Sequence, residues 1–383
     1  AIAGALIALP ALLAMLGDKV NLIKFTRITA RAKTKGSWAS LARFVMKRPI
    51  SIVLLSMLIL GIFAAPIKNI AFSQGDSRML PADNPAAVAT AIQAERFPGQ
   101  TGTPIEIVIF DGADKTEEIS KYAAEVAQVS GVIAVAPPQT IGQDVRVVAY
   151  QSMLPRTPEA QSLIHTIRDI KAPEGTLIGG VAADYTDSQD GISSTLPWAL
   201  GWIALSVLVL IFIFTGSIIL PIKAVLLNVL SLAATMGVLT WVFIDGNLQW
   251  LVGSFTLTGT LDTSIVILIA VVVFGLSMDY ELFLLSRIRE EHLAGRDNVE
   301  AVATGLQRSA RIITAAAVLL AVVFAAFITS GVTSIKSMGF GVALAVILDA
   351  TIVRALLVPA LMRLFGERNW WAPKWMQRFT ITH

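Results

Sequence analysis

The sequence predicts a polytopic α-helical membrane protein with an inserted α/β domain, and three observations support this fold class. Hydrophobic residues make up 55% of the 383 residues and charged residues only 15%, whereas soluble proteins carry about a quarter charged residues. The apolar residues are concentrated in unbroken runs of membrane-spanning length. Between two of these runs, residues 68–196 show higher charge density and strand-like alternation. Together these features exclude a soluble enzyme, a disordered chain and a fibrous protein.

Six apolar segments have the length of a membrane span, since a helix needs about 20 residues to cross the hydrocarbon core. The first is 50–67, and five more lie within 197–365, at 198–215, 218–243, 263–285, 312–330 and 337–364. The last of them qualifies if Asp349 and Arg354 are tolerated inside it. The opening run 1–16 is too short to span, and we interpret it as the tail of a preceding helix.

The distribution of Lys and Arg predicts the orientation, because cytoplasmic loops carry an excess of both residues. Residues 17–49 hold nine basic residues and one acid, whereas 68–196 hold nine basic residues and sixteen acids. The loop 286–311 and the tail 366–383 are also basic. We therefore expect these three basic segments in the cytoplasm and 68–196 outside it. The net charge of +3 then requires no nucleic-acid partner.

Within the basic linker 17–49, residues 37–48 have the apolar stripe of an amphipathic helix that ends before Pro49. The stripe comprises Trp38, Leu41, Ala42, Val45 and Met46. Two interpretations are equally consistent with it. The helix either lies in the inner headgroup layer or packs on the rest of the protein.

The inserted segment 68–196 contains alternating strand and helix signals. The expected order is strand, helix, strand, strand, helix, strand, which is the ferredoxin-like βαββαβ arrangement. The strands are expected at 104–110, 132–136, 144–151 and 176–181, and the helices at 115–129 and 158–169.

An internal repeat links the two ends of the chain. Leu9-Pro10-Ala11-Leu12 followed by Gly17 matches Val358-Pro359-Ala360-Leu361 followed by Gly366, at an offset of 349 residues. Repeats of this kind are typical of transporters built from two halves. We therefore expect the chain to hold the end of a first half and the whole of a second half.

A carboxylate at the centre of a membrane helix costs about 2.5–3.5 kcal/mol, so ionisable residues there require an explanation. Asp279 shares a helical face of low bulk with Gly275, so a neighbouring helix can approach it. Burial favours the neutral form of a carboxyl group, which suits a proton carrier, and Tyr280 can donate a hydrogen bond to it. Glu281 lies about 200° further around the helix. A polar contact between helices is the alternative role for Asp279.

Asp349 and Arg354 form a second candidate, in the sixth span. They are five residues apart, which is a poor spacing for mutual contact on an α-helix. A structural ion pair or a contact with another helix is the expected role, and Asp349 is a reserve proton carrier. Lys223 is expected to snorkel to the headgroups near a helix end.

Several chemistries have no motif in the sequence. There is no G-x-x-x-x-G-K-[ST] segment, no H-E-x-x-H, no G-x-S-x-G and no cysteine. We therefore expect no nucleotide site, no metal, no cofactor and no enzymatic activity. Uphill transport would then draw on an ion gradient.

Four groups of residues resemble the MmpL (mycobacterial membrane protein large) family of the resistance–nodulation–division superfamily, over essentially the whole chain. The most specific is the segment 274–291 around Asp279-Tyr280-Glu281. The others are Leu348-Asp349-Ala350-Thr351 with Trp370-Trp371, Met79-Leu80-Pro81 with Phe97-Pro98-Gly99, and the segment 221–228.

The resemblance implies proton-driven export of lipids, lipid-like molecules or drugs across a bacterial inner membrane. An Asp-Tyr pair in each half forms the family's proton relay, and Asp279 and Tyr280 match the second-half pair. The expected partners are membrane lipids, a hydrophobic substrate, protons and a first half that supplies the other pair. The alternatives are a non-transporting envelope scaffold or lipid-binding module, and a degenerate fragment with no independent role.

Overall fold

The computed structural model describes residues 4–17, 36–96, 104–373 and 375–376. Residues 18–35 of the predicted linker 17–49, the motif at 97–99 and the end of the tail lie outside these ranges. Residues up to Gly36 form one unit and those from Ser37 form a second. In the first unit, a π-helical turn, Gly4–Ala8, leads into α1, Leu9–Leu16.

The second unit contains twelve helices among the described residues. They are α2 Ser37–Lys47, α3 Pro49–Ala64, α4 Pro85–Arg96, α5 Thr116–Ala127, α6 Pro158–Asp169, α7 Val181–Thr215, α8 Ile219–Leu239, α9 Gln249–Val252, α10 Thr263–Leu293, α11 Asn298–Phe327, α12 Thr333–Leu348 and α13 Val358–Phe365. The strands are β1 Phe72–Ser73, β2 Ile105–Ile109, β3 Val132–Val135, β4 Gln139–Ile141, β5 Asp144–Gln151, β6 Thr176–Gly179 and β7 Leu261–Asp262.

Six helical segments are long and apolar enough to cross a membrane, as the sequence predicts. They run over Pro49–Asn69, Val181–Thr215, Ile219–Ile244, Thr263–Leu293, Asn298–Phe327 and Thr333–Trp370. The last is continuous because a π-helical segment, Asp349–Leu357, joins α12 to α13. The protein is therefore a polytopic helical membrane protein.

Between α3 and α7 the chain forms an antiparallel sheet with the strand order β3-β5-β2-β6, and β4 pairs with β5. The strands agree closely with the expected positions, except that β4 has no counterpart among them. Alternate residues of β2 and β5 are buried against α5 and α6, which both lie on one face of the sheet. The result is a two-layer α/β domain with its own apolar core.

The other face of this sheet is largely open. Leu177 is 61% exposed on it, and Arg146 forms an ion pair there with Glu106, with 2.7 Å between Nε and Oε2. The Arg146 guanidinium lowers the pKa of the Glu106 carboxyl below its usual range.

Helix α7 connects this domain to the membrane without a break. It begins at Val181, so the expected domain boundary at 196/197 falls inside a continuous helix that contains Pro197. The first turns of α7 belong to the α/β core, and Asp187 forms an ion pair with Arg168 of α6. One continuous helix therefore joins the α/β domain to a candidate membrane span.

Helix α2 packs on α11, which is one of the two arrangements left open by the sequence. Ala39, Ala42 and Val45 are fully buried. Arg43 forms an ion pair with Glu300, with 3.0 Å between Nε and Oε1. Trp38 and Leu41, expected on the buried stripe, are only partly buried.

The two copies of the sequence repeat have matching local structures. Each begins with π-helical residues, continues into an eight-residue α-helix with Pro in its first turn, and ends at a glycine. Gly17 has φ 48° and ψ −132°, and Gly366 has φ 52° and ψ −133°. Both conformations lie in a region that favours glycine. The two copies therefore share not only sequence but also the way in which the helix ends at a glycine.

Helices α3 and α8 cross closely at Gly237. A Cβ atom at this position would lie 2.1 Å from the backbone oxygen of Phe63. Because the Phe63 oxygen belongs to a helix backbone and cannot turn aside, a side chain at Gly237 could be accommodated only by separating the helices.

We expect Gly237→Ala to destabilise the protein by about 1–3 kcal/mol, the usual cost of overpacking. Gly61→Ala is the matched control, because a Cβ atom there meets nothing within 4 Å. Thermal unfolding in detergent micelles measures the difference. Equal unfolding temperatures for the two variants would contradict the close crossing.

Candidate functional site

A buried ion pair lies at the junction of α12 with the π-helical segment that follows it. Asp349 and Arg354 are bonded to each other, and their side chains are only 7% and 4% exposed. In an α-helix these two residues would lie about 140° apart around the axis. The i→i+5 bonding of the π-helix instead brings residues five apart onto one face. This explains why α-helical spacing alone predicted a poor contact.

Helix α10 supplies the other partners of this ion pair. Ser277 donates from Oγ to Asp349 Oδ1 at 2.8 Å, and its carbonyl oxygen accepts from Arg354 at 2.8 Å. The Arg354 guanidinium lies 5.0 Å from the ring centroid of Tyr280. The pair therefore ties α10 to the π-helical segment that follows α12, and it places a cation beside the phenol predicted for the proton relay. Ser277 was not singled out from the sequence.

Glu281 extends the polar cluster towards the end of the bundle. It is 4% exposed and lines a cavity of about 10 Å³ with Lys223 and Met362. This volume approaches that of one water molecule. Lys223 does not snorkel as expected: it turns inwards and donates to Asn369 Oδ1, a partner that no sequence signal indicated.

A second cavity of about 10 Å³ adjoins the ion pair itself. It is lined by Ser277, Tyr280, Asp349 and Arg354 together with apolar residues. Consecutive parts of α10 line the two small cavities, with Ser277 and Tyr280 at one and Glu281 at the other. Polar groups therefore continue from the middle of α10 towards Asn369.

Asp279 points away from this cluster. It lies one residue from the midpoint of α10 and is exposed, on the same face as Leu268, Val271 and Gly275. Its side chain forms no hydrogen bond or ion pair with the described residues. Tyr280 is partly buried between this face and the cluster. The structure thus separates Asp279 from Asp349, Arg354 and Glu281, which it brings together.

At the repeat offset of 349 residues, the two copies differ at the position of Arg354. Arg354 aligns with Ala5, which lies in the corresponding π-helical turn. A methyl side chain cannot replace a guanidinium, so the two copies are chemically unequal at this position.

A larger cavity lies between α4 and the α/β domain. Its volume is about 820 Å³, and Arg78, Arg156 and Glu95 line it together with Val88 and Leu154. Helix α4 is exposed along most of its length. The cavity is therefore open, mainly apolar and bordered by charge.

No group of three or more His, Asp or Glu side chains within the described ranges is arranged to hold a metal ion.

Comparison with known proteins identifies relatives over nearly the whole chain. The sequence profile of the MMPL family matches residues 78–380. A putative membrane protein of Streptomyces coelicolor is 38% identical over 98% of this chain and 52% of its own length. The trehalose monomycolate exporter MmpL3 of Mycobacterium tuberculosis is 34% identical over 91% of the chain and 39% of its own length. The mycolic acid-containing lipids exporter MmpL11 of Mycolicibacterium smegmatis is 32% identical over 96% and 40%.

The chain thus spans about half the length of these relatives, or less. The family profile covers well over half of the chain and includes α10, α12 and the buried ion pair between them. On this evidence the chain belongs to the MMPL family.

Proposed function

We propose that the chain is half of a proton-motive-force-driven exporter of lipids, lipid-like molecules or drugs in a bacterial inner membrane. Two relatives in this family are named as exporters of mycolic acid-containing lipids or trehalose monomycolate. The basic segments would face the cytoplasm and the α/β domain the outside. This chain would be the second half of a transporter built from two repeats.

The observation that carries the proposal is the unpartnered carboxylate of Asp279 at the middle of α10. A charge facing lipid at this depth costs about 2.5–3.5 kcal/mol, which a companion segment could offset by providing a partner. The low bulk of Gly275, where a Cβ atom would meet nothing within 4 Å, leaves room for that segment. We assign Asp279 and Tyr280 as the second-half proton relay, to be completed by the other half.

The buried cluster would connect this relay to the helices that move. A change in the charge of Asp279 alters the field at Tyr280, whose ring lies against Arg354. Arg354 in turn holds α10 against the π-helical segment that follows α12, through Ser277 and Asp349. Glu281 and Lys223 would then provide the polar route towards the cytoplasm. Since Arg354 aligns with Ala5, this half would contribute a cation that the other copy lacks.

The outer domain would handle the cargo after it leaves the membrane. Its strand order and the helix pair on one face favour the ferredoxin-like arrangement expected from the sequence. The open cavity of about 820 Å³ beside α4 is large enough for part of a lipid-like molecule and mainly apolar. Helix α7 would couple this domain to the bundle.

Collapse of the proton gradient is expected to stop export. The experiment follows a fluorescent lipid in inverted vesicles that contain the complete two-half assembly, with a proton ionophore as the perturbation. ATP depletion at a maintained gradient is the control and should leave export unchanged, because the proposed driving force is the proton gradient. Export that survives the ionophore would contradict the proposal. Lipid binding without any transport would favour the scaffold or lipid-binding alternative.

A further inference from the structure

A groove on the exposed face of α11 ends in a cluster of polar side chains. It has a volume of about 800 Å³ and is formed by Trp38 of α2 and one stripe of α11. We call it the α11 groove. Its α11 residues are Gln307, Arg311, Thr314, Ala315, Val318, Leu319, Val322 and Val323.

The apolar part of the α11 groove has the depth of one membrane leaflet. From Thr314 to Val323 the helix rises about 14 Å, close to half of the ~30 Å hydrocarbon core. Val318, Leu319 and Val322 are each more than half exposed, at 57%, 64% and 65%. The stripe therefore offers an uncovered wall along which a single acyl chain can lie.

The polar end of the groove lies at the expected level of the headgroups. Arg311 immediately precedes the apolar segment 312–330, is exposed and forms no ion pair with the described residues. Trp38 borders the same end, and tryptophan is enriched at the membrane–water interface. An unpaired guanidinium at this depth is suited to bind a phosphate, which it can do through two hydrogen bonds.

Gln307 is held in place beside Arg311. Its Oε1 accepts from the backbone N–H of Ala39 at 3.0 Å. This bond fixes the amide against the first turn of α2 and leaves its NH₂ group without a partner among the residues described. The N-terminal end of α2, which carries a partial positive charge, therefore borders the groove as well. The Arg311 guanidinium, the Gln307 NH₂ group and the N-terminal end of α2 therefore all favour an anion at the polar end of the α11 groove.

We propose that the α11 groove binds one anionic phospholipid of the inner leaflet, with its phosphate on Arg311 and Gln307 and an acyl chain along α11. The assignment to the inner leaflet rests on the orientation in the proposed function. The binding of a phosphate and an acyl chain by the groove does not depend on that orientation. The occupant is a lipid because the charge lies at one end and the remaining wall is apolar over one leaflet.

Native mass spectrometry of the delipidated chain tests this assignment with phosphatidylglycerol and phosphatidylcholine as probes. We expect one retained phosphatidylglycerol and a weaker association of phosphatidylcholine. Arg311→Gln should weaken phosphatidylglycerol retention about tenfold through loss of the charge-assisted bonds. Lys47→Gln removes the same charge from α2 outside the groove and should leave retention unchanged. Equal retention of the two lipids, or equal effects of the two variants, would overturn the assignment.

A second variant keeps the arginine and blocks the wall. Ala315→Trp places an indole in the groove at an exposed position, so it should reduce lipid retention while the fold is preserved. Retention at the wild-type level would contradict an acyl chain along α11. Because binding is measured on the purified chain, a failure of transport leaves this result interpretable by itself.

Photo-crosslinking in native membranes separates a lipid from a protein occupant. With benzoylphenylalanine introduced at position 319, we expect adducts whose added mass is that of a phospholipid. Adducts with the mass of a companion polypeptide would show that the groove is a protein interface and would overturn the proposal.

Discussion

Arg354→Met should destabilise the protein by about 3–5 kcal/mol, the usual cost of removing one partner from a buried ion pair. The substitution leaves Asp349 enclosed with only the Ser277 hydroxyl to compensate its charge. It also removes the hydrogen bond from Arg354 to the Ser277 carbonyl oxygen and the cation beside the Tyr280 ring. Thermal unfolding in detergent micelles, compared with wild type, measures the effect.

The double variant Asp349→Leu/Arg354→Met is the matched control. It removes both charges, so most of the lost stability should return, although the link to α10 through Ser277 would be absent. A single variant as stable as wild type would contradict the assignment of a buried, coupled pair. A double variant whose loss of stability exceeds the sum of the losses in the two single variants would also contradict it.

Asp279→Asn should abolish proton-coupled export in the complete two-half assembly while leaving membrane insertion intact. Asparagine keeps the size and polarity of the side chain but cannot carry a proton, and loss of a proton-transfer group typically costs about 10²–10⁴-fold in rate. Because the Asp279 side chain has no partner among the described residues, the substitution breaks no contact within them, and folding of this chain should be preserved. Export of a fluorescent lipid driven by an imposed pH gradient measures the effect.

Glu290→Gln is the control for this experiment. Glu290 lies on the same helix, is exposed at its end and pairs only with Arg287 in the part of the chain that is described. Export should remain at the wild-type level in this variant. Equal losses in the two variants would show that the effect arises from a general change in charge and would remove the special role of Asp279.

The sequence predicted the membrane spans well because they depend on length and composition alone. It also predicted the strands and helices of the α/β domain within a few residues, since Gly131 and Pro158 mark boundaries that local chemistry determines. The strand β4 had no such marker. The placement of α2 on α11 could not be chosen in advance, because one apolar stripe suits either a membrane surface or a helix.

The buried cluster was harder to predict for a specific physical reason. The pairing of Asp349 with Arg354 depends on a π-helical segment, Asp349–Leu357, and α-helical periodicity does not anticipate it. The inward turn of Lys223 depends on Asn369, which lies 146 residues away in the chain. Such contacts follow from tertiary packing. Asp279 and Tyr280 remain a prediction for the proton relay.

Infrared difference spectroscopy tests the account most directly, because it observes the protonation of Asp279 itself. The reconstituted two-half assembly would be recorded before and after a pH gradient is imposed across the membrane. The account predicts a protonated-carboxyl band that changes with the gradient and is absent from the Asp279→Asn variant. A carboxylate that stays ionised under both conditions, with identical difference spectra for wild type and variant, would contradict it.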